Sequence, residues 1–174
     1  MIPICFMIGL AVGLFRGGHL KCILQKHFSC PLLLFLSLFC SALLASVRVA
    51  AWPFFESLRI FFVLIQYGLM LAFLFLNRRN QGFWLVMAGT VLNGLVILAN
   101  GGKMPIGPAV TRFGEAALVK ISRAPHYFLA KGSEPLLFLG DCIPLAFYMI
   151  SAGDLFIGAG LAFFGFWLTQ KTES

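Results

Sequence analysis

Residues 60–76 read IFFVLIQYGLMLAFLFL, and residues 34–45 read LFLSLFCSALLA. Neither stretch alternates between apolar and polar positions, as the strands of a membrane barrel do. Inside hydrocarbon every backbone N–H and C=O must be bonded within the protein, so only helices and closed barrels cross it. Continuous apolar runs therefore predict helices in lipid.

The rest of the chain supports the same solvent. Of 174 residues 60% are hydrophobic and 11% charged, against roughly 25% charged in a typical soluble domain. Mean hydropathy is +0.96. The net charge is +7, but the basic residues sit between apolar runs. There they hold loops against anionic head groups, and no nucleic-acid motif accompanies them. The expected environment is the lipid bilayer, with other membrane subunits as candidate partners, no nucleic acid and no cofactor. Of five cysteines, Cys5, Cys40 and Cys142 lie in apolar runs and read as small hydrophobes. Cys22 and Cys30 flank one loop and would pair only in an oxidising space.

Six apolar runs cover about residues 2–15, 31–51, 57–76, 82–99, 134–150 and 155–169. A span needs about 20 apolar residues, so the first must tilt, thin the bilayer or continue into its loop. The first run, lacking a basic leader, reads as a retained helix. Pro31 suits a first helical turn, and Trp52-Pro53 ends the second run. The fifth, opened by Ser133 as a helix cap, carries Gly140, Asp141 and Pro144 and is predicted to be kinked. Ser151 to Asp154 form a tight turn, and a polar tail follows Gln170. The expected architecture is an all-α polytopic transmembrane helix bundle with about six spans, five being the alternative. It forms a single domain over 1–174.

Residues 100–135 form an extended polar loop. Within it Val110, Phe113, Ala117, Leu118 and Ile121 share one helical face, and Arg112, Glu115, Ser122 and Arg123 the other. This predicts an amphipathic helix over 109–123, lying in the interface or packed on the bundle. Positive-inside counting splits. An external N-terminus puts Arg16, Lys21, Lys26, Arg78 and Arg79 in the cytoplasm. An internal one puts Arg48, Arg59, Lys171 and the long loop's basic residues there. Short loops favour the former. Residues 14–20, LFRGGHL, echo residues 98–104, LANGGKM. With three runs on each side, that echo raises an inverted repeat of the kind found in transporters.

The NGGKMP loop at 100–105, His126 before the fifth run, and the turns around Asp141 and Asp154 resemble a bacterial membrane-protein family, domain of unknown function 5317, over most of the chain. The resemblance implies a multi-span protein of the bacterial inner (plasma) membrane and no particular activity.

Several residues could carry function. Asp141 is an acid expected near a helix centre, where insertion costs about 2.5–3.5 kcal/mol. Such a group faces an interior or cavity, or pairs with a loop cation near the interface. Asp154 can cap the last helix. Asn93 and Asn100 share a helix face and need partners across the bundle. Gly101, Gly102 and Lys103 make either a helix end or an anion cradle. His126, Glu134 and Asp141 lack the tight spacing of a metal or acid–base site, and no hydrolase or zinc motif is present. The leading expectation is a component of a small-solute or ion transporter. The alternatives are an accessory or assembly subunit of a membrane complex, and a membrane enzyme acting on a lipid-linked substrate.

Overall fold

The computed structural model describes residues 2–46, 52, 54–146 and 148–171. They are mostly helical: α1 (Ile2–Phe15), α2 (Pro31–Ala45), α3 (Phe55–Leu76), α4 (Phe83–Ala99), α5 (Glu115–Arg123) and α6 (Ala152–Leu168). Pro31 opens α2 as expected. That helix ends at Ala45, short of the predicted 51. Residues 47–51, Pro53 and the tail 172–174 lie outside the described residues.

The two Gly-Gly sequences are matching helix ends. Gly18 N–H donates to Gly13 O at 3.0 Å, and Gly102 N–H donates to Ile97 O at 2.9 Å. Gly17 and Gly101 supply the left-handed φ, +87° and +67°, that this cap requires. The echo is thus a repeated helix end; among the described residues three long helices precede the midpoint and two follow.

Five helices pack in the order α1, α6, α4, α3, α2. Small residues set the spacing at both faces of α6. A Cβ on Gly9 would collide with Ala162 O, and one on Gly89 with Gly153 O. Without a Cβ at these points the helix backbones approach closely. Phe73, Leu74, Phe83 and Val86 form one buried cluster, and Leu44, Phe55 and Val63 another. Among the described residues only α3, with 22 residues, is long and apolar enough by itself to cross a membrane; α1, α2, α4 and α6 are shorter apolar helices. Six spans are not supported.

The fifth run is the main correction. Residues 134–150 form no long helix. They make a short 3₁₀ turn at Leu137–Leu139 and two strands, β3 (Ile143–Leu145) and β4 (Tyr148–Ile150), paired antiparallel. Pro135, Gly140 and Pro144 divide the run into pieces too short for a helix. Pro144 lacks the donor a helix needs and biases Ile143 toward extended backbone. The predicted cap at Ser133 therefore has no helix to start, and the fold is not all-α. β1 (Met104–Ile106) pairs in parallel with β2 (Tyr127–Leu129). The polar connection and the fifth run together form a small β-containing cap over the end of the bundle where α4 ends and α6 begins.

The amphipathic stretch keeps its faces but not its continuity. A 3₁₀ segment over Pro108–Phe113 gives way at Gly114, φ +78°, to α5. Val110 is buried and Phe113, Ala117, Leu118 and Ile121 are partly buried, while Arg112, Glu115, Ser122 and Arg123 are exposed.

Candidate functional site

Between the cap and helices α2, α3, α4 and α6 lies a cavity of about 260 Å³. Two carboxylates line it, Asp141 from the cap and Asp154 from the first turn of α6. Asn93, Gly102 and His126 also reach it, so five of the nine residues singled out from sequence meet there. The lining holds no Lys or Arg among the described residues.

Asp154 is fully engaged. Its backbone N–H donates to Ser151 Oγ at 2.9 Å, while its carboxylate accepts from Ser151 N–H at 3.3 Å and from Asn93 Nδ2 at 2.9 Å. Ser151 Oγ donates to Asn93 Oδ1 at 2.8 Å. The predicted cap is therefore a capping box tied to α4. Gly153 leaves the room: a Cβ there would strike Asn93 Oδ1.

Asp141 is positioned by backbone pairing. Its N–H donates to Pro105 O at 3.0 Å and its C=O accepts from Gly107 N–H at 2.9 Å, so β1 holds it on the edge opposite β2. The side chain is 6% exposed, and Oδ1 is buried without a hydrogen-bond partner. Burial first, then the Asp154 charge, pushes its carboxyl up from 3.8 to about 7. This carboxyl sits at an isolated backbone bridge in the cap and not at the expected helix centre.

The His126 and Tyr127 rings meet at a 45° tilt with centroids 4.2 Å apart, and the buried His126 Nδ1 has no partner. Burial, and then the positive charge of Arg59, lower its imidazole below the usual range. Burial, then Asp141 and Asp154, push the Tyr127 phenol up to about 12. Both rings are therefore neutral at pH 7, and Tyr127 keeps a proton to donate.

The other candidates hold the frame. Asn100 Nδ2 donates to Val96 O at 2.8 Å and Pro135 O at 2.9 Å. Lys103 Nζ pairs with Glu56 Oε1 at 3.0 Å, and Glu56 also grips the fully buried Arg59 at 2.9 Å. Gly102 packs on the Arg59 stem, where a Cβ would lie 2.7 Å from Cγ. Gly101 supplies the turn. Glu134 accepts from Lys131 and Gly132 N–H at 2.7 and 2.8 Å, bonds that lower its carboxyl; it does not line the cavity. Among the described residues no three His, Cys, Asp or Glu side chains could together hold a metal ion.

Gln66, Tyr67 and Tyr127 line the cavity but were not singled out from sequence. Gln66-Tyr67-Gly68 interrupts the apolar run of α3 and was a readable signal. So was Gly94, whose missing side chain admits the Tyr67 ring: a Cβ would lie 2.9 Å from it. Tyr127 reaches the site only through pairing with Met104, and nothing local announces that.

The molecule is a helical protein whose apolar bundle ends in a carboxylate-lined cavity under a β-containing cap. It belongs to the family of unknown function DUF5317, which its sequence matches over residues 25–166. That range contains every cavity residue named above. An uncharacterized protein of Thermotoga maritima is 31% identical over 109 residues, 59% of this chain and 62% of that protein. The match thus takes in less than two thirds of the relative. No solved structure matches.

Proposed function

We propose that this chain is a multi-pass protein of the bacterial inner membrane that binds a small cationic solute in the Asp141 cavity, as a transporter or the membrane component of one. Five helices, α1, α2, α3, α4 and α6, cross the bilayer in this reading. Its support is the exposed apolar surface. Phe15 is 91% exposed, Phe35 65%, Trp84 61% and Phe163 58%, on four different helices. Soluble proteins do not carry such surface around a bundle. Helices of 14 to 17 residues rise about 21–25 Å, roughly 5–9 Å short of the roughly 30 Å hydrocarbon core, a mismatch met by local thinning of the bilayer.

The observation that carries the solute reading is Asp141 Oδ1, buried without a partner beside a second carboxylate in a cavity with no cationic lining. A buried charge without partners is costly, and a bound cation or a proton removes that cost. A volume of about 260 Å³ exceeds one water's share of about 30 Å³ many times, which favours an organic cation such as a protonated amine.

Uptake of radiolabelled methylammonium into proteoliposomes tests this. Saturable accumulation, absent from empty liposomes and abolished by Asp141→Asn, is expected. Accumulation equal to that of empty liposomes would overturn it. A second reading, an accessory subunit, is favoured by the satisfied Asn93–Ser151–Asp154 network, which locks α4 to α6. It predicts a stable protein with no solute binding.

A further inference from the structure

A second cavity of about 290 Å³ lies beneath α5, lined mainly by apolar side chains: Val110, Phe113, Ala117, Ile121 and Met149. It shares His126, Tyr127 and Asp141 with the first cavity. These three residues therefore stand between the two spaces. The helix above is loosely seated. No residue of α5 is fully buried, and it rests on the Pro108–Phe113 segment and β2 rather than on the long helices. Its apolar face covers a void where a packed core would be expected.

We propose that the two cavities are halves of one amphiphile site, with an amine head against Asp141 and an alkyl tail beneath α5. This rests on the cationic-solute reading above and narrows it to amines with an apolar tail. Charge fixes the direction. Asp154 lines only the inner cavity and Lys120 only the outer one, while Asp141 borders both. A cationic head is repelled at Lys120 and attracted at Asp141. The tail removes its surface from water against Val110, Phe113 and Ile121. His126 and Tyr127, neutral and in contact with their rings tilted at 45°, flank the point where head joins tail. The buried Nδ1 of His126, without a partner, is an acceptor for an ammonium proton there.

Binding of methyl-, butyl- and hexylammonium to the nanodisc-reconstituted chain tests the proposal, counting only binding that Asp141→Asn removes. Affinity is expected to rise about threefold to fourfold per methylene, the transfer value for a buried CH₂. Ala117→Phe and Ala124→Phe, each filling the outer cavity, should erase that rise while leaving methylammonium binding within about twofold. Having two such variants guards against one that fails to fold. Affinity independent of chain length would overturn the amphiphile site while leaving the cationic cavity standing. Hexanol or hexanoate binding as tightly as hexylammonium would overturn the head assignment. Absence of binding by every amine would overturn the underlying reading as well.

Discussion

Asp141 and Asp154 line one cavity, yet their surroundings differ in kind. Asp154 sits where a helix begins, and the local backbone, Ser151 and Asn93 satisfy its oxygens. Asp141 sits at an isolated bridge to β1 made by its backbone alone, and its Oδ1 has no hydrogen-bond partner. A carboxylate at a helix start finds donors ready-made. A carboxylate at such a bridge finds none unless another chain segment or a ligand brings them. The first aspartate stabilises the fold and the second is left for something else.

The comparison breaks most visibly at Asp154. Asp154→Ala removes the carboxylate half of the capping box, a hydrogen bond worth about 0.5–1.5 kcal/mol, and strands Asn93, worth about 1–3 kcal/mol more. A loss of several °C in unfolding midpoint in detergent is expected; an unchanged midpoint would deny the structural role. Gly153→Ala comes next. Its methyl meets Asn93 Oδ1 and, at 2.6 Å, Gly89 O, and overpacking of this kind costs about 1–3 kcal/mol. Asn93→Ala should relieve part of it in the double variant, and failure to do so would place the strain elsewhere.

Asp141 should behave in the opposite sense. Its folded pKa of about 7 lies above the unfolded 3.8, so the folded state binds more protons between those values. Stability is therefore full below about pH 4 and declines as pH rises through about 7. Asp141→Asn removes this decline and leaves the protein as stable or more stable at pH 8. His126, lowered by burial and by Arg59, contributes the reverse slope below its ordinary 6.5, and that slope should emerge once Asp141 is silenced. A wild-type midpoint that rises between pH 4 and 8 would contradict the assignment. The smallest effect is expected at Glu134→Gln, an unfolding midpoint close to the wild type's, because the group is a surface turn acceptor.

The same contrast explains what the sequence revealed. α1, α3, α4 and α6 were legible because apolar continuity over fourteen or more residues reports helices, and Asp154 marked the start of α6. The Asp141 environment was not legible in the same way. The apolar run over 134–150 suggested a kinked span, but Pro135, Gly140 and Pro144 outweigh apolarity when nearby β1 offers backbone partners. That partner lies more than thirty residues away at Pro105, and no local pattern encodes such pairing. Asn93, His126, Asp141 and Asp154 were singled out for their chemistry, and the fold brings them to one cavity. Lys103 and Glu134 shared the same chemistry but are consumed by Glu56 and by a turn.

Infrared difference spectroscopy of the reconstituted protein, comparing wild type with Asp141→Asn across pH, reads the protonation of this one carboxyl. The account predicts a protonated carboxyl band that belongs to Asp141, titrates near pH 7 and fades when methylammonium is added at fixed pH. A band that titrates near pH 4 and ignores the amine would show that Asp141 is an ordinary solvated acid, and the cavity would lose its reason to bind a cation.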